Sequence, residues 1–222
     1  MVKRLLLAMA AAAMLLSSLP LTASSAATGS AAARHAVLTN RRVGGSNVRV
    51  GAIIKADLKR GTKATFFSPG SRRGVTCRFS SFTDRVTKNP FRRGTARLRL
   101  TSERFRGCTV SGITGARGVR SVSVERLPYN TTTSDSRGKP VTIFRTRTKI
   151  TLSTILGAIV CTYFKGAVRG HASNIGQVNA FSNQTFNLVS GSGACPAKGD
   201  FSATYGPLRN FSVRGHPHIF VN

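Results

Sequence analysis

Acidic side chains are scarce in this sequence of 222 residues, which contains 6 Asp and Glu residues against 34 Lys and Arg residues. The formal net charge at pH 7 is +28, and most of the excess lies before residue 150. Because so few carboxylates cannot neutralise the basic residues through ion pairs, a strong positive field is expected over part of the surface. The composition therefore predicts a protein that attracts anions.

Tryptophan is absent, and the chain has only 3 tyrosines beside 13 phenylalanines. Proteins that stack sugars or single-stranded nucleic acid use exposed aromatic side chains, so the composition disfavours that class of site. The phenylalanines occupy alternating positions in apolar runs and are expected in the core.

Helical periodicity is also missing, because no stretch of about 11 residues keeps it without an interruption by Gly or Pro. Short runs of alternating apolar and polar residues are separated by turn signals such as Ser68-Pro69-Gly70. We predict an all-β fold, and specifically an antiparallel sandwich.

The N-terminus has the parts of an export signal. Lys3 and Arg4 supply positive charge, residues 5–19 form an apolar core that is short for a membrane span, and residues 21–27 are mostly small. We therefore predict a secretory signal peptide over residues 1–26 and a secreted protein, either free or retained at the cell wall.

Residues 27–47 have no apolar period and are expected to form a flexible leader, followed by one domain over residues 48–222. Residues 65–79 and 149–163 share one pattern: an apolar approach, a turn containing glycine, a second apolar run, and a cysteine with an aromatic residue two positions later. This likeness suggests a degenerate duplication of the chain.

The pseudo-repeats span about residues 48–127 and 141–206, and they bear on how the four cysteines pair. An exported chain with four cysteines is expected to hold two disulfides, for which three connectivities are open. If the halves are copies, the pairs within each half are favoured, namely Cys77 with Cys108 and Cys161 with Cys195. The cysteine spacings do not suit a zinc site, and we predict no metal and no cofactor.

Arginines alternate with apolar residues in two of the predicted strands. Arg97 and Arg99 share one face of a strand while the leucines beside them share the other, and Arg145 and Arg147 repeat the pattern. The planar guanidinium group of arginine suits phosphate, sulfate and carboxylate ligands. The predicted anion-binding set adds residues of nearby turns and consists of Arg72, Arg73, Arg92, Arg93, Arg97, Arg99, Arg145 and Arg147.

No spacing typical of a catalytic site is found. The six acidic residues include no adjacent pair, and each is expected to pair with neighbouring basic residues. His216 and His218 could share a strand face as metal ligands, but Pro217 between them favours an ordinary edge segment. We predict that the protein is not an enzyme and has no catalytic residue.

Several short motifs resemble other exported bacterial proteins. Leu127-Pro128-Tyr129, PVTI from Pro140, IVCTYFKGAVRGHASN from Ile159 and FSATYGPL from Phe201 are similar to a group of exported actinobacterial proteins of unknown function. The order of LPY, VTI, Cys and V-x-G is more distantly similar to secreted bacterial proteins labelled activators of alkane oxidation, which are associated with surfaces and biofilms. The resemblance implies an exported, small, β-rich, cysteine-paired protein without enzymatic activity, and it brings no binding residues with it.

The function predicted from these observations is a non-enzymatic secreted or cell-wall-associated binding protein with a basic face. The expected partner is an anionic polymer or surface: a cell-wall polyanion, an acidic polysaccharide or an anionic lipid surface. Specific nucleic-acid binding is disfavoured because the protein is exported. Two alternatives stay open, a surface structural or inhibitor-like protein-interaction component and a secreted hydrolase whose site the sequence does not reveal.

Overall fold

The computed structural model describes residues 35–222, so the predicted signal peptide and the first part of the predicted leader lie outside the described residues. Within this range, no helix is long and apolar enough to span a membrane. The thirteen strands are β1 Leu38–Asn40, β2 Ile53–Asp57, β3 Ala64–Phe67, β4 Gly74–Lys88, β5 Thr95–Ser111, β6 Gly118–Glu125, β7 Tyr129–Ser134, β8 Pro140–Thr154, β9 Gly157–Ser173, β10 Val178–Ser190, β11 Lys198–Tyr205, β12 Arg209–Asn210 and β13 Ile219–Val221.

The large sheet is built from eight strand positions that follow one another in chain order. Three positions are each filled by two strands lying end to end: β2 with β3, β6 with β7, and β11 with β12. Each position pairs antiparallel with the next, through β4, β5, β8, β9 and β10. The last position then pairs with the first, since β11 bonds to β3 and β12 to β2, so the sheet closes into an up-and-down barrel.

The all-β prediction is confirmed, but the predicted sandwich is wrong because the sheet closes on itself. The strands β4, β5, β8 and β9 are 15 to 17 residues long, and strands of this length accumulate a large twist. Register shifts in the β4–β5 and β10–β11 pairs bend the sheet further. Inward and outward residues alternate in the same way in a sandwich and in a barrel, so the sequence pattern did not separate the two.

The first described strand lies inside the segment 27–47 that the sequence predicts as a flexible leader. β1 pairs antiparallel with β13, and Val37 just before it is completely buried. The backbone N–H of Val37 donates to the carbonyl of Pro90 over 2.8 Å. The order of this segment depends on a partner strand at the far end of the chain, which local periodicity does not detect. Together β1 and β13 pack at the barrel end that we call the terminal end.

The opposite end of the barrel carries both disulfides, and we call it the disulfide end. Cys77 is bonded to Cys108 and Cys161 to Cys195, which confirms the predicted pairing. Cys77 and Cys108 lie directly opposite each other on β4 and β5, whereas Cys195 lies in the connection between β10 and β11. One bridge joins two paired strands and the other joins a strand to a connection, so the bridges do not show a repeated unit and the duplication stays a prediction. Two disulfides are compatible with an extracellular location.

Candidate anion-binding surface and interior carboxyl site

The outer face of the β4–β5 hairpin carries a dense set of exposed basic side chains. Arg85 lies directly opposite Arg99, and Lys88 lies directly opposite Arg97. Like charges that face each other across a strand pair destabilise it. We use the name basic hairpin face for the exposed set Arg85, Lys88, Arg97, Arg99, Arg104 and Arg106.

The carboxylates of the molecule are almost all committed elsewhere. Glu125 accepts both of the salt bridges found in residues 35–222, from Arg147 Nε and Lys149 Nζ, each over 3.1 Å. The Lys149 hydrogen bond is the largest of the effects that lower the pKa of Glu125. Asp135 accepts hydrogen bonds from two backbone N–H groups of the β4–β5 connection, and Asp200 accepts one from a threonine hydroxyl. The basic hairpin face therefore keeps its charge.

Two surface grooves adjoin this face along β2. The first has a volume of about 810 Å³ and the second about 820 Å³, and Arg104 lines both of them. Asp57 lines both grooves and, among the described residues, is the only acidic one in their lining. The basic residues of the two grooves, which we call the basic grooves, are Lys55, Lys59, Arg60, Arg78, Arg104, Arg106 and Arg209.

The structure brings together only part of the predicted anion-binding set. Arg97 and Arg99 belong to the basic hairpin face. Arg147 is held by Glu125, and Arg145 nearby on β8 has a positive φ of 59°. Both line a smaller groove of about 310 Å³.

The four predicted turn arginines are divided between the two ends of the barrel. Arg72 and Arg73 lie in the connection before β4, where Arg73 Nε donates to the carbonyl of Gly112 over 3.0 Å. Arg92 and Arg93 lie in the connection after β4, at the terminal end. These two pairs therefore do not form one site with the basic hairpin face.

Two acidic residues point into the barrel, where the sequence did not predict a site. Asp84 on β4 is 6% exposed, and Glu103 on β5 is partly buried. The expectation that each acid pairs with a neighbouring basic residue is confirmed for Glu125 and is wrong for these two, because both side chains lie on the inner side of the wall.

A short hydrogen-bond chain holds Glu103 in place. The hydroxyl of Tyr205 on β11 donates to Glu103 Oε1 over 2.9 Å and lies 2.9 Å from Ser80 Oγ. The ring of Tyr205 also packs edge-on against Phe82, with centroids 5.1 Å apart. We call Asp84, Glu103, Tyr205 and Ser80 the interior carboxyl site.

Burial shifts the titration of this site strongly. Desolvation, with a smaller contribution from the charge of Glu103, raises the pKa of Asp84 to about 7. Desolvation also raises the pKa of Glu103 to about 7, against the lowering effect of the Tyr205 hydrogen bond. The pKa of Tyr205 is raised well above its usual value by burial and then by Glu103. Both carboxyl groups thus titrate near neutral pH and can donate or accept a proton there.

One of these acids could have been found from the sequence. Asp84 shares its strand face with Phe82 and Val86, so an acidic residue stands in an otherwise apolar inward series. Glu103 shares no such series, because strict alternation from Leu98 and Leu100 would place it on the outer face.

Comparison of the chain with protein-family models, with curated proteins and with solved structures finds no match in any of the three.

Proposed function

We propose that the protein is a secreted, non-enzymatic binding protein that attaches to anionic polymers through the basic hairpin face and the basic grooves. The observation that carries this proposal is the direct opposition of Arg85 with Arg99 and of Lys88 with Arg97. Such pairs cost stability in the free protein, and a bound polyanion would relieve the repulsion. A surface that served only to contact water could be built from Glu–Lys pairs, which would not repel each other.

Three further features support a polymer rather than a small anion. The charged side chains extend along the hairpin from the pair Lys88 and Arg97 to Arg106, which lies much further along β5. The two basic grooves share Asp57, Ser81 and Arg104, so they adjoin each other. Arginine predominates over lysine in both places, which favours bidentate contacts with phosphate, sulfate or carboxylate groups. The expected ligands are therefore wall polyanions, acidic polysaccharides or anionic lipid surfaces outside the cell.

A barrel gives this surface a rigid support. The outward arginines alternate with buried residues such as Leu98 and Leu100, which are 5% and 2% exposed. The side-chain bases are therefore fixed by the core, and binding needs to order only the guanidinium ends. A protein partner with an acidic surface is the main alternative, and the experiment below separates it.

The test compares two variants that remove the same charge. The face variant carries Arg85→Gln, Arg97→Gln, Arg99→Gln and Arg104→Gln, and the matched control carries four exposed arginines changed elsewhere: Arg72→Gln, Arg120→Gln, Arg137→Gln and Arg214→Gln. Binding to poly(glycerol phosphate), and to cell-wall material with and without its anionic polymers, is measured between 50 and 300 mM salt.

The face variant should bind more weakly and should show a salt slope, d log K/d log [salt], that is reduced by about 3 units, because each lost phosphate contact removes roughly 0.7 to 0.9 from the slope. The salt slope of the control should fall by no more than half as much as that of the face variant. Equal losses in both variants would mean that net charge alone attracts the polymer. Unchanged adhesion of the face variant to intact wall would favour a protein partner instead.

A further inference from the structure

The barrel interior contains a cavity of about 50 Å³ that is lined by polar atoms without partners. Within residues 35–222, Asp84 Oδ1, Thr131 Oγ1 and Thr146 Oγ1 are buried and have no hydrogen-bond partner. The three residues are 6%, 3% and 5% exposed. Buried polar atoms in folded proteins are almost always hydrogen-bonded, so these atoms are suited to a molecule that enters the cavity.

The wall of this cavity is acidic and is not balanced by a basic group. Asp84 and Glu103 line it, whereas the lining from the described chain includes no Lys, Arg or His. The basic neighbours of Asp84, which are Lys55 on β2, Arg85 on β4 and Arg99 on β5, are exposed on the outer face. An occupant with one positive charge would supply the missing partner for a carboxylate.

The remaining wall is apolar and rich in aromatic rings. Its phenylalanines are Phe66, Phe82, Phe105, Phe181, Phe186 and Phe201. Aromatic faces attract organic cations, and they also accommodate an alkyl chain. The cavity thus combines carboxyl groups, threonine hydroxyls and aromatic rings.

We propose that the barrel interior binds a small organic cation, a short-chain alkylammonium whose nitrogen bonds to Asp84 and whose chain packs among the phenylalanines. The size follows from the cavity volume: a water-sized group needs roughly 10–15 Å³ of such space, so about 50 Å³ holds about four non-hydrogen atoms. The n-propylammonium ion has this size. A second, smaller cavity of about 10 Å³ toward the disulfide end shares Phe66, Val75 and Ile150 with the first.

The titration of the site supports this assignment and provides an independent measurement. Glu103 from β5 and Tyr205 from β11 are the titratable groups that share the interior with Asp84. Because the pKa of Asp84 is about 7, roughly half of the molecules carry a neutral Asp84 at pH 7. A bound cation stabilises the carboxylate, so binding at pH 7 should release about half a proton per ligand.

The experiment titrates the full chain with n-propylammonium chloride and, in parallel, with 1-propanol, which has the same size and no charge. The methyl resonances of Thr131 and Thr146 report occupancy of the cavity by NMR, and a pH electrode in weakly buffered solution reports proton release. The acidic variant is Asp84→Asn, and the matched control is Asp57→Asn, which makes the same change at an exposed position on β2.

We expect n-propylammonium to shift both methyl resonances at pH 8 and to bind at least tenfold more tightly than 1-propanol. Asp84→Asn should weaken its binding at least tenfold and reduce proton release, while Asp57→Asn should change neither. Glu103→Gln provides a second interior variant if Asp84→Asn does not fold, and it should also weaken binding. Equal binding of the alcohol and the cation, or no shift with either, would overturn the proposal. Neither result would bear on attachment of the outer face to polymers, which is measured separately.

Discussion

The buried carboxyl group of Asp84 makes a specific prediction about stability and pH. A carboxyl group whose pKa is raised by folding binds its proton more tightly in the folded than in the unfolded chain. The unfolding free energy therefore falls as pH rises from the unfolded pKa of 3.8 toward the folded pKa of about 7, and it changes little above that. This direction is opposite to that of an acid held in a salt bridge.

The magnitude follows from the two pKa values. Between pH 5 and pH 8 the linkage relation gives a loss of about 3 kcal/mol from Asp84 alone, since a full pKa unit corresponds to about 1.4 kcal/mol. Glu103, with its pKa raised to about 7, acts in the same direction. A loss of this size is a large part of the stability of an ordinary domain, which is about 5–15 kcal/mol.

The assay is urea unfolding of the oxidised protein at pH 5 and pH 8, for the wild type and for Asp84→Asn. The asparagine variant should be more stable than the wild type at pH 8, and its advantage should shrink by about 3 kcal/mol at pH 5. Taking this difference removes the contributions of titratable groups that do not interact with Asp84. If the unfolding free energy of the wild type instead rose relative to that of the variant from pH 5 to pH 8, the assignment of Asp84 to the barrel interior would be refuted.

Three other measurements test the packing. Gly170→Ala on β9 should lower the unfolding free energy by at least about 2 kcal/mol, because the added Cβ would lie 2.4 Å from the carbonyl oxygen of Ala180 and 2.6 Å from the Phe181 ring. The control Gly166→Ala on the same strand meets nothing within 4 Å and should be nearly neutral. Urea unfolding measures both. Tyr205→Phe should lower stability by about 1–3 kcal/mol, because Glu103 and Ser80 both lose a buried partner, and an unchanged urea midpoint would contradict the hydrogen-bond chain. Non-reducing peptide mapping should recover only Cys77–Cys108 and Cys161–Cys195, and replacing both Cys161 and Cys195 by serine should cost about 3–4 kcal/mol on the loop-entropy relation for a separation of 34 residues.

Local residue patterns predicted the content of the fold better than its closure. Alternation at Leu98 and Leu100 correctly predicts a strand with a buried inner face, and both leucines are buried. Closure depends on β12 meeting β2 and on β11 meeting β3, contacts between the two ends of the barrel sequence. No residue pattern in these strands indicates which strand each of them pairs with, so a sandwich and a barrel were equally compatible with the alternation.

The candidate sites were predicted unevenly for the same reason. Arg97 and Arg99 were recognised because they alternate without interruption. Arg104 lies on the same outer face but was missed, as was the inward position of Glu103. Both require a change of register that strict alternation does not contain.

That change of register is a bulge at Thr101, and it determines both sites at once. Thr83 pairs with Ser102 while its neighbour Asp84 pairs with Leu100, so Thr101 is an extra residue in β5. If Thr101 instead took a regular place in the alternation, the positions after it would exchange faces: Glu103 would join Arg99 outside, and Arg104 would carry its guanidinium group into the apolar interior. With it, Glu103 enters the cavity beside Asp84, and Arg104 extends the basic hairpin face into the grooves. The positive outer surface and the acidic interior are therefore consequences of the same local irregularity in one strand.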